Sequence, residues 1–227
     1  MSQQNFVVIP RQEVSVLQPQ YQFLKRIADV AISLITLPLV LPLAFICALA
    51  IRLDSPGPIF FVQERVGKGG ELFRIYKFRT MIQDHDSESE RRFMKDFVQG
   101  KINASNHTEE SFKPAERSKI TRVGWVLRKL SLDELPQLIN VLRGDMSLVG
   151  PRPNVAWEVD AYRGWHYERL EVLPGITGLA QVKGRSNIAF DQIVNYDVEY
   201  IEKQSFLMDL KILLWTVTSV LKSKGAG

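Results

Sequence analysis

Charged residues are unevenly distributed along the chain. Residues 30–51 form a run of 22 positions without a charged side chain, and every charged residue of the protein lies outside it. A helix of that length would reach roughly 33 Å at about 1.5 Å per residue, enough to cross a hydrocarbon core about 30 Å thick. The pattern therefore predicts one long apolar helix joined to a polar domain.

Two prolines, Pro38 and Pro42, lie near the middle of the apolar run. Each removes a backbone hydrogen bond, and because residues four apart share a helix face, the two bends should add. A re-entrant helix and a kinked transmembrane helix both fit, and three basic residues on each side give no preferred orientation. A signal peptide fits less well, because a polar lead, Asp29 and the two prolines oppose it.

Beyond the apolar run, the pattern predicts strands and helices in one polar domain. Residues 58–63 and 72–81 suit two strands, and the glycines at 67–70 suit the turn of a hairpin. Residues 82–116 are polar and rich in acids, which predicts a mobile, partly helical insertion. Such an insertion could cover a site as a lid or remain a solvated loop.

A helix is also predicted in the second half of the chain. Ser131 followed by Glu134 has the spacing of a capping box, and apolar residues at helical spacing continue to Gly144. These residues predict a helix beginning near Ser131. Pro136 would fit better if the helix began nearer Asp133, because proline is tolerated only in the first turn.

Two further helices are predicted near the C-terminus. Residues 188–204 have an amphipathic pattern, and residues 206–221 are more apolar. Asp209 and Lys211 leave only ten uncharged residues at 212–221, too few to span a bilayer. Residues 206–221 could therefore form an interfacial membrane helix or pack in the core.

Composition narrows the classes of function. The chain has 45% hydrophobic and 24% charged residues, which excludes wholesale disorder and a polytopic bundle. Its single cysteine, Cys47, excludes an intrachain disulfide and a zinc site with several cysteines. The three histidines are dispersed, and no serine has the surroundings of a hydrolase nucleophile.

The positive charge is concentrated just after the apolar run. Between residues 65 and 79, five basic residues face one acid, a surplus of four that equals the net charge of +4. Such a surplus could attract anionic lipid headgroups, and it could also form one wall of an anion-binding site. Lys77 and Arg79 are two positions apart, so on a strand they would face the same way and could bind one phosphate.

Two adjacent acids, Asp133 and Glu134, are the candidate catalytic residues. Acids in the first turn of a helix favour the helix dipole and need no catalytic role. However, basic residues surround them in sequence, and two prolines hold Arg152 in an extended segment. Carboxylates among cations suit a phosphate ester bound with Mg²⁺, and a carboxylate can itself be the nucleophile in phosphoryl transfer.

Several long motifs occur in one order between about Lys25 and Lys222. They are KRIADV, PGPIFFVQERVGKGGELFRIYKFRTM, RVGWVLRKLSLDELPQLINVLRGDMSLVGPRPN, LPGITGLAQVKGR and SFLMDLKILLWTV. Through them the chain closely resembles the bacterial sugar transferases, the monotopic polyprenyl-phosphate hexose-1-phosphate transferases also called small phosphoglycosyl transferases. The resemblance implies transfer of a sugar 1-phosphate from a UDP-sugar to polyprenyl (undecaprenyl) phosphate, giving a polyprenyl diphosphate sugar and UMP.

The resemblance also implies site residues. Asp133 matches the nucleophile that would carry an aspartyl-phosphosugar intermediate, and Glu134 would join it in a Mg²⁺ site. The positions that match basic or nucleotide-contacting residues of the family are Lys77, Arg79, Arg128, Arg152, Gln181 and Arg185. For Gln181 and Arg185, a structural role in a loop competes with contact to the nucleotide.

An architecture follows from the pattern and the resemblance together. The expected fold is α+β, a monotopic membrane protein with a re-entrant, proline-broken helix, a small β-hairpin or sheet and interfacial amphipathic helices. Its expected parts are a tail at 1–24, the re-entrant helix at 25–54 and a catalytic domain at 55–227. The domain would lie on the cytoplasmic face of the bacterial inner membrane, where anionic lipids would be its partners. This arrangement is also compatible with a homodimer.

Three positions depart from the family pattern and qualify the resemblance. Pro42 matches the helix-breaking proline best, but Leu41 precedes it where serine is frequent, and Pro38 is an additional proline that could move the bend. Leu179 stands where tryptophan is common. These differences concern the geometry of the helix rather than the chemistry.

The resemblance implies a role in biosynthesis. The reaction would be the first membrane step in assembly of an exopolysaccharide, an O-antigen or a glycoprotein glycan. Two other classes of function are alternatives. A membrane-anchored basic interaction module would need the basic patch but not Asp133. A nucleic-acid binder is not expected, because the chain lacks the interleaved aromatic and basic residues of a known nucleic-acid module.

Overall fold

The computed structural model describes residues 19–82, 87–101, 119–184 and 188–221 of the chain. The helices, in chain order, are α1 (Pro19–Asp54), α2 (Ser87–Val98), α3 (Arg122–Lys129), α4 (Gln137–Arg143), α5 (Ala156–Val159), α6 (Leu179–Gly184), α7 (Phe190–Lys203) and α8 (Phe206–Leu221). The strands are β1 (Phe60–Val66), β2 (Leu72–Phe78), β3 (Ser147–Val149) and β4 (Gly175–Thr177). The fold is therefore a mixture of helices and small sheets, as the sequence indicates.

The hairpin expected after the apolar run is present. Strands β1 and β2 pair antiparallel, from Phe60 opposite Phe78 to Val66 opposite Leu72. The turn contains Gly69 and Gly70, whose φ values of 67° and 86° fall in the region that glycine tolerates best. These glycines thus serve the turn rather than a phosphate-binding loop.

A second, parallel strand pair was not predicted. Strands β3 and β4 pair Ser147 with Gly175 and Val149 with Thr177. Each has only three residues, too short for an alternating pattern to show in the sequence. The backbones of Gly150 and Gly175 approach so closely that a Cβ on either would collide with main-chain atoms. This contact joins the segment after β3 to the start of β4.

The apolar run lies within α1, a helix of 36 residues that includes both Pro38 and Pro42. By length and composition, α1 could cross a membrane. Its central side chains are largely exposed, whereas Cys47 and Ile51 near its end are buried in a cluster with Phe78 on β2. The final turns of the helix are thus part of the folded domain, and its middle is not.

The first turns of α1 are also attached to the domain, through a buried polar network. The carboxylate of Asp209 on α8 accepts hydrogen bonds from Tyr21 and Lys25, each at 2.8 Å, and from Tyr200 on α7, also at 2.8 Å. Arg26 donates to the Leu142 carbonyl at the end of α4 at 2.9 Å. Helices α1, α7 and α8 are therefore joined at one buried carboxylate.

The helix predicted near Ser131 begins later than expected. Ser131 has a left-handed backbone conformation, with φ 55°, and its side chain caps no helix. A short 3₁₀ segment covers Leu132–Glu134, and α4 begins only at Gln137, after Pro136. The capping-box prediction was wrong because the Glu134 side chain is bound by cations from elsewhere in the fold. The predicted end is correct, since Gly144 is the left-handed residue after α4.

The polar insertion expected at 82–116 is only partly described. Residues 83–86 and 102–118 lie outside the described residues, as do residues 1–18 of the expected tail. Helix α2, which lies between residues 86 and 102, packs on the domain. Its Phe97 and Val98 are buried in a cluster that includes Val66 and Phe190. This part of the insertion contributes to the hydrophobic core rather than to a solvated loop.

Candidate active site

Two predicted basic residues bind the carboxylate of a third predicted site residue, Glu134. Lys77 Nζ on β2 donates to Glu134 Oε1 at 2.8 Å, and Arg152 Nη1 donates to the same oxygen at 3.1 Å. Lys77 and Glu134 are 57 positions apart in the chain, so only the fold brings them together. Their side chains are mostly buried, whereas Arg152 is half-exposed and can meet a ligand from solvent.

The buried amide of Asn140 attaches α4 to β2, the strand that carries Lys77. Its Nδ2 donates to the Arg74 carbonyl at 2.7 Å, and its Oδ1 accepts from the Tyr76 N–H at 3.1 Å. The side chain thereby pairs with the edge of β2 as another strand would, and it fixes α4 beside that strand. The sequence gives no signal of this role, because a single asparagine in an amphipathic helix has no distinctive pattern.

The charge of Glu134 is strongly favoured in the folded protein. Burial acts to raise the pKa of its carboxyl, but Arg152 and Lys77 outweigh burial and hold this pKa at about 2. Burial and the positive charge of Arg152 also lower the pKa of Lys77. Glu134 is therefore a permanent anion at neutral pH, and it neutralises part of the surrounding positive charge.

The neighbouring Asp133 has a different environment. Burial raises the pKa of its carboxyl above the ordinary value of 3.8, and the negative charge of Glu134 raises it further. Lys77, Arg152 and Arg128 oppose these effects. Two adjacent acids whose pKa values are shifted in opposite directions are a frequent sign of acid–base or nucleophilic chemistry.

A third cation, Arg128, also acts on Asp133. Its Nε donates to Thr80 Oγ1 at 3.0 Å, and its Nη2 lies 3.1 Å from Met81 Sδ. These contacts hold the guanidinium at the end of α3, where its charge lowers the pKa of Asp133. Among the predicted basic residues, Lys77, Arg128 and Arg152 all act electrostatically on Asp133.

Arg79 does not join this group. It follows the last residue of β2 and is buried, so the alternation that would align it with Lys77 ends before it. Its Nη2 donates to the Ser55 carbonyl and hydroxyl at 2.8 Å each, and its Nη1 donates to the Pro56 carbonyl. Arg79 thus fastens the segment after α1 to the end of β2, and the geometry lends no support to the expected phosphate contact.

The two remaining predicted residues are at or near α6. Gln181 Nε2 donates to the Ile176 carbonyl on β4 at 3.0 Å, which ties α6 to the parallel strand pair. This contact favours the structural reading of Gln181. Arg185 lies outside the described residues.

Together these contacts define a class of site. Two adjacent, partly buried carboxylates are surrounded by cations, next to a helix apolar enough to insert in a membrane. Such a site suits chemistry on phosphate esters at a membrane surface. The profile described as "Bacterial sugar transferase" matches residues 20–223, and the chain belongs to this family.

Several named proteins are similar in sequence to this chain over most of its length. The exopolysaccharide production protein ExoY of Sinorhizobium fredii is 36% identical over 215 residues, which cover 95% of this chain and 93% of ExoY. The UDP-glucose:undecaprenyl-phosphate glucose-1-phosphate transferase of Caulobacter vibrioides is 42% identical over 89% of this chain and 71% of its own length. The undecaprenyl-phosphate galactose phosphotransferase of Salmonella typhimurium is 37% identical over 97% of this chain but only 45% of its own length.

Proposed function

We propose that the protein transfers a sugar 1-phosphate from a UDP-sugar to undecaprenyl phosphate, as an early step in exopolysaccharide assembly. The observation that carries this proposal is the pair Asp133–Glu134, with cations from β2, α3 and the segment after β3 around it. The names of the relatives from Caulobacter vibrioides and Salmonella typhimurium support the same acceptor. The sugar itself remains to be found by experiment.

The proposed reaction has two displacements. An oxygen of the Asp133 carboxylate attacks the phosphorus nearest the sugar, a new O–P bond forms, and UMP leaves with the electron pair of the broken P–O bond. An oxygen of undecaprenyl phosphate then attacks the same phosphorus and releases the carboxylate. Lys77, Arg128 and Arg152 would stabilise negative charge on the phosphate oxygens. These cations are already in position, so they need no reorganisation during the reaction.

The donor set also fits Mg²⁺. Asp133 and the second carboxylate oxygen of Glu134 would hold the ion, since Mg²⁺ in phosphoryl-transfer sites is often bound by one or two carboxylates, water and substrate phosphate. Burial and the charge of Glu134 raise the pKa of the Asp133 carboxyl, and a bound cation would act in the opposite direction by favouring its ionised form. When bound, Mg²⁺ would neutralise charge on the diphosphate.

We further propose that α1 is re-entrant and the protein monotopic. Arg26 near the start of α1 binds carbonyls of α4, and Ile51 near its end packs with Phe78 and Leu127, so both ends rest on one domain. A charged domain cannot lie on both sides of a bilayer about 30 Å thick at once. Many apolar residues between these ends are exposed, among them Ile35, Leu39, Leu41, Phe45 and Ile46. They would enter the lipid from the cytoplasmic face, with the bend near Pro38 and Pro42.

Helix α8 suits contact with the same leaflet. Its exposed apolar residues Leu207, Leu210, Leu214 and Val217 follow helical spacing, whereas Asp209 and Ile212 are buried in the domain. A helix with one apolar face exposed and the other face packed on protein can lie in the interface of a membrane. This arrangement favours the interfacial reading of residues 206–221.

Cysteine labelling tests the topology. In a Cys47→Ser background, Gln20→Cys before the apolar run and Lys68→Cys in the hairpin turn should react with an impermeant maleimide from the same side of the membrane. The expected result is labelling of both in inside-out vesicles and of neither in intact spheroplasts. Labelling of the two positions from opposite sides would instead establish a transmembrane helix.

Release of UMP tests the catalytic proposal. The purified protein in detergent or nanodiscs, with Mg²⁺ and undecaprenyl phosphate, should release UMP from at least one member of a panel of UDP-sugars. An equal amount of lipid-linked diphosphate sugar should form, as measured by mass spectrometry. A membrane-anchored interaction module would release no UMP from any donor, and this outcome would overturn the proposal.

A further inference from the structure

The segment that carries Arg152 is held at every backbone carbonyl from residue 151 to residue 154. The four donors come from three places in the fold, because two of them are neighbours on β1: Gly175 N to Pro151 O at 2.9 Å, Arg169 Nη2 to Arg152 O at 3.2 Å, Arg65 Nη1 to Pro153 O at 3.2 Å, and Val66 N to Asn154 O at 2.8 Å. Two of these donors are backbone amides and two are arginine side chains. The conformation of this segment is therefore determined by its surroundings.

Arg169 is the more deeply buried of the two arginines. Its side chain is 2% exposed, and its Nη2 lies 2.6 Å from Oδ2 of Asp197, whose side chain is 1% exposed. Its Nη1 donates to the Tyr162 hydroxyl at 3.1 Å, and the guanidinium carbon lies 5.6 Å from the centre of the Phe190 ring. The guanidinium thus joins α7, the segment before β4 and the backbone of Arg152 in one arrangement.

A buried ion pair of this kind is not explained by stability alone. Removing two charges from water is costly, and apolar residues of similar size often stabilise a fold equally well. Arginine differs from an apolar residue, and from lysine, in holding several donors in one rigid plane. At position 169, that plane lets one side chain bind the Asp197 carboxylate and the Arg152 carbonyl simultaneously.

We infer that Arg169, held by Asp197, is a positioning residue for Arg152. By fixing the Arg152 backbone, it places the Arg152 guanidinium on Glu134 and toward the phosphate of the sugar donor. The inference rests on the proposed function for its catalytic consequence, because Arg152 acts there on a phosphate. Arg169 itself contacts no member of the Asp133–Glu134 pair in the described contacts.

A conservative variant gives the first test. Arg169→Lys keeps the positive charge beside Asp197. The acceptors lie around two nitrogens of the guanidinium, however, and the three donors of an ammonium diverge from one nitrogen, so the lysine should not reach the Arg152 carbonyl and the Tyr162 hydroxyl together. We expect kcat to fall about 10- to 100-fold, the scale for a misplaced catalytic group. The melting temperature should also fall by a few degrees, because two buried polar groups lose their donor. Arg163 forms an ion pair with Asp191 nearby at the surface. Arg163→Lys is therefore the matched control, and it should retain wild-type activity.

A double-mutant cycle separates positioning from a general structural effect. If Arg169 acts through Arg152, then Arg169→Lys should reduce activity further by less than about twofold once Arg152 has been changed to Ala. If the two residues act independently, their losses should multiply. Multiplied losses would overturn the inference.

Replacing the whole buried pair gives a second test. The variant Arg169→Met with Asp197→Leu removes both charges, a change that often preserves or raises stability. We expect a melting temperature near that of the wild type, together with the low activity of Arg169→Lys. Recovery of both stability and activity would show that the pair serves only the fold.

A measurement without turnover keeps this inference separate from the proposed function. Hydrogen–deuterium exchange should be faster in Arg169→Lys at the amides of Val66 and Gly175, which donate to carbonyls of this segment, with no change in peptides from α1 and α8. If the wild type releases no UMP but this local change occurs, the proposed function fails and the positioning role stands. If exchange at Val66 and Gly175 is unchanged, the positioning role fails whatever the enzyme does.

Discussion

Replacing Asp133 with Asn should reduce UMP release by at least about 10⁴-fold, the scale of losing a nucleophile. Asparagine has nearly the same shape, so the site should keep its packing, but its amide cannot attack phosphorus. The charge of Glu134 remains, and its contacts with Lys77 and Arg152 should hold that part of the site. The measurement is UMP release with saturating UDP-sugar and undecaprenyl phosphate.

A trapping experiment separates a nucleophile from an electrostatic role for Asp133. Brief incubation of the wild type with a UDP-sugar labelled in the sugar, without lipid acceptor, should give a labelled protein that base releases. Asp133→Asn should give no labelled protein, and a peptide map of the wild type should place the label on Asp133. An acyl phosphate is expected to be base-labile, and the peptide map then locates the bond.

Asp160→Asn is a suitable control for both experiments. Asp160 is exposed at the end of α5 and shares no carboxylate cluster with Asp133. This variant should release UMP and form the adduct as the wild type does. Turnover of the wild type without any adduct, under conditions where product forms, would point to direct attack by the lipid phosphate on the sugar donor.

Local sequence patterns predicted those parts of the fold that depend on neighbouring residues. The hairpin of β1 and β2, the end of α4 at Gly144 and the range of α8 at residues 206–221 each follow from turn residues or periodicity. The parallel pair of β3 and β4 could not be predicted in this way. Its three-residue strands exist because the backbones of Gly150 and Gly175 meet across the fold.

The start of α4 shows why a correct local rule can fail. A serine three residues before a glutamate often caps a helix, because the two side chains bind each other's backbone N–H groups. In this protein Glu134 instead binds Lys77 and Arg152, two cations that are distant in sequence. The residue that fitted the capping rule is thus the centre of the candidate site, and tertiary contacts outweighed the local preference.

Residue type alone did not separate binding arginines from structural ones. Arg152 and Arg79 both matched basic positions of the family, yet Arg152 is half-exposed beside Glu134, and Arg79 is buried against Ser55 and Pro56. Arg169 had no signal in the sequence at all, because its partner Asp197 is 28 positions further along the chain. Such roles depend on where donors find acceptors in the folded chain.

Replacing Glu134 with Gln should lower kcat/KM by about 100-fold and move the acid limb of the pH profile to lower pH. The loss follows because Glu134 holds Lys77 and Arg152 in position, and misplaced cations would stabilise the phosphate oxygens less well. The shift follows because the charge of Glu134 raises the pKa of Asp133. Without that charge, Asp133 would lose its proton at lower pH, and Lys77 and Arg152 would favour its ionised form more strongly.

The acid limb of kcat/KM against pH measures this shift, because it reports the essential base of the free enzyme. Glu71→Gln, which removes an exposed acid in the hairpin turn, is the control and should leave both the rate and the profile unchanged. An acid limb that stays in place in Glu134→Gln would mean that Asp133 is not the group whose ionisation limits the reaction. A limb that moves to higher pH would mean that the net effect of Glu134 on the essential base is to favour its ionised form, the opposite of its effect on Asp133.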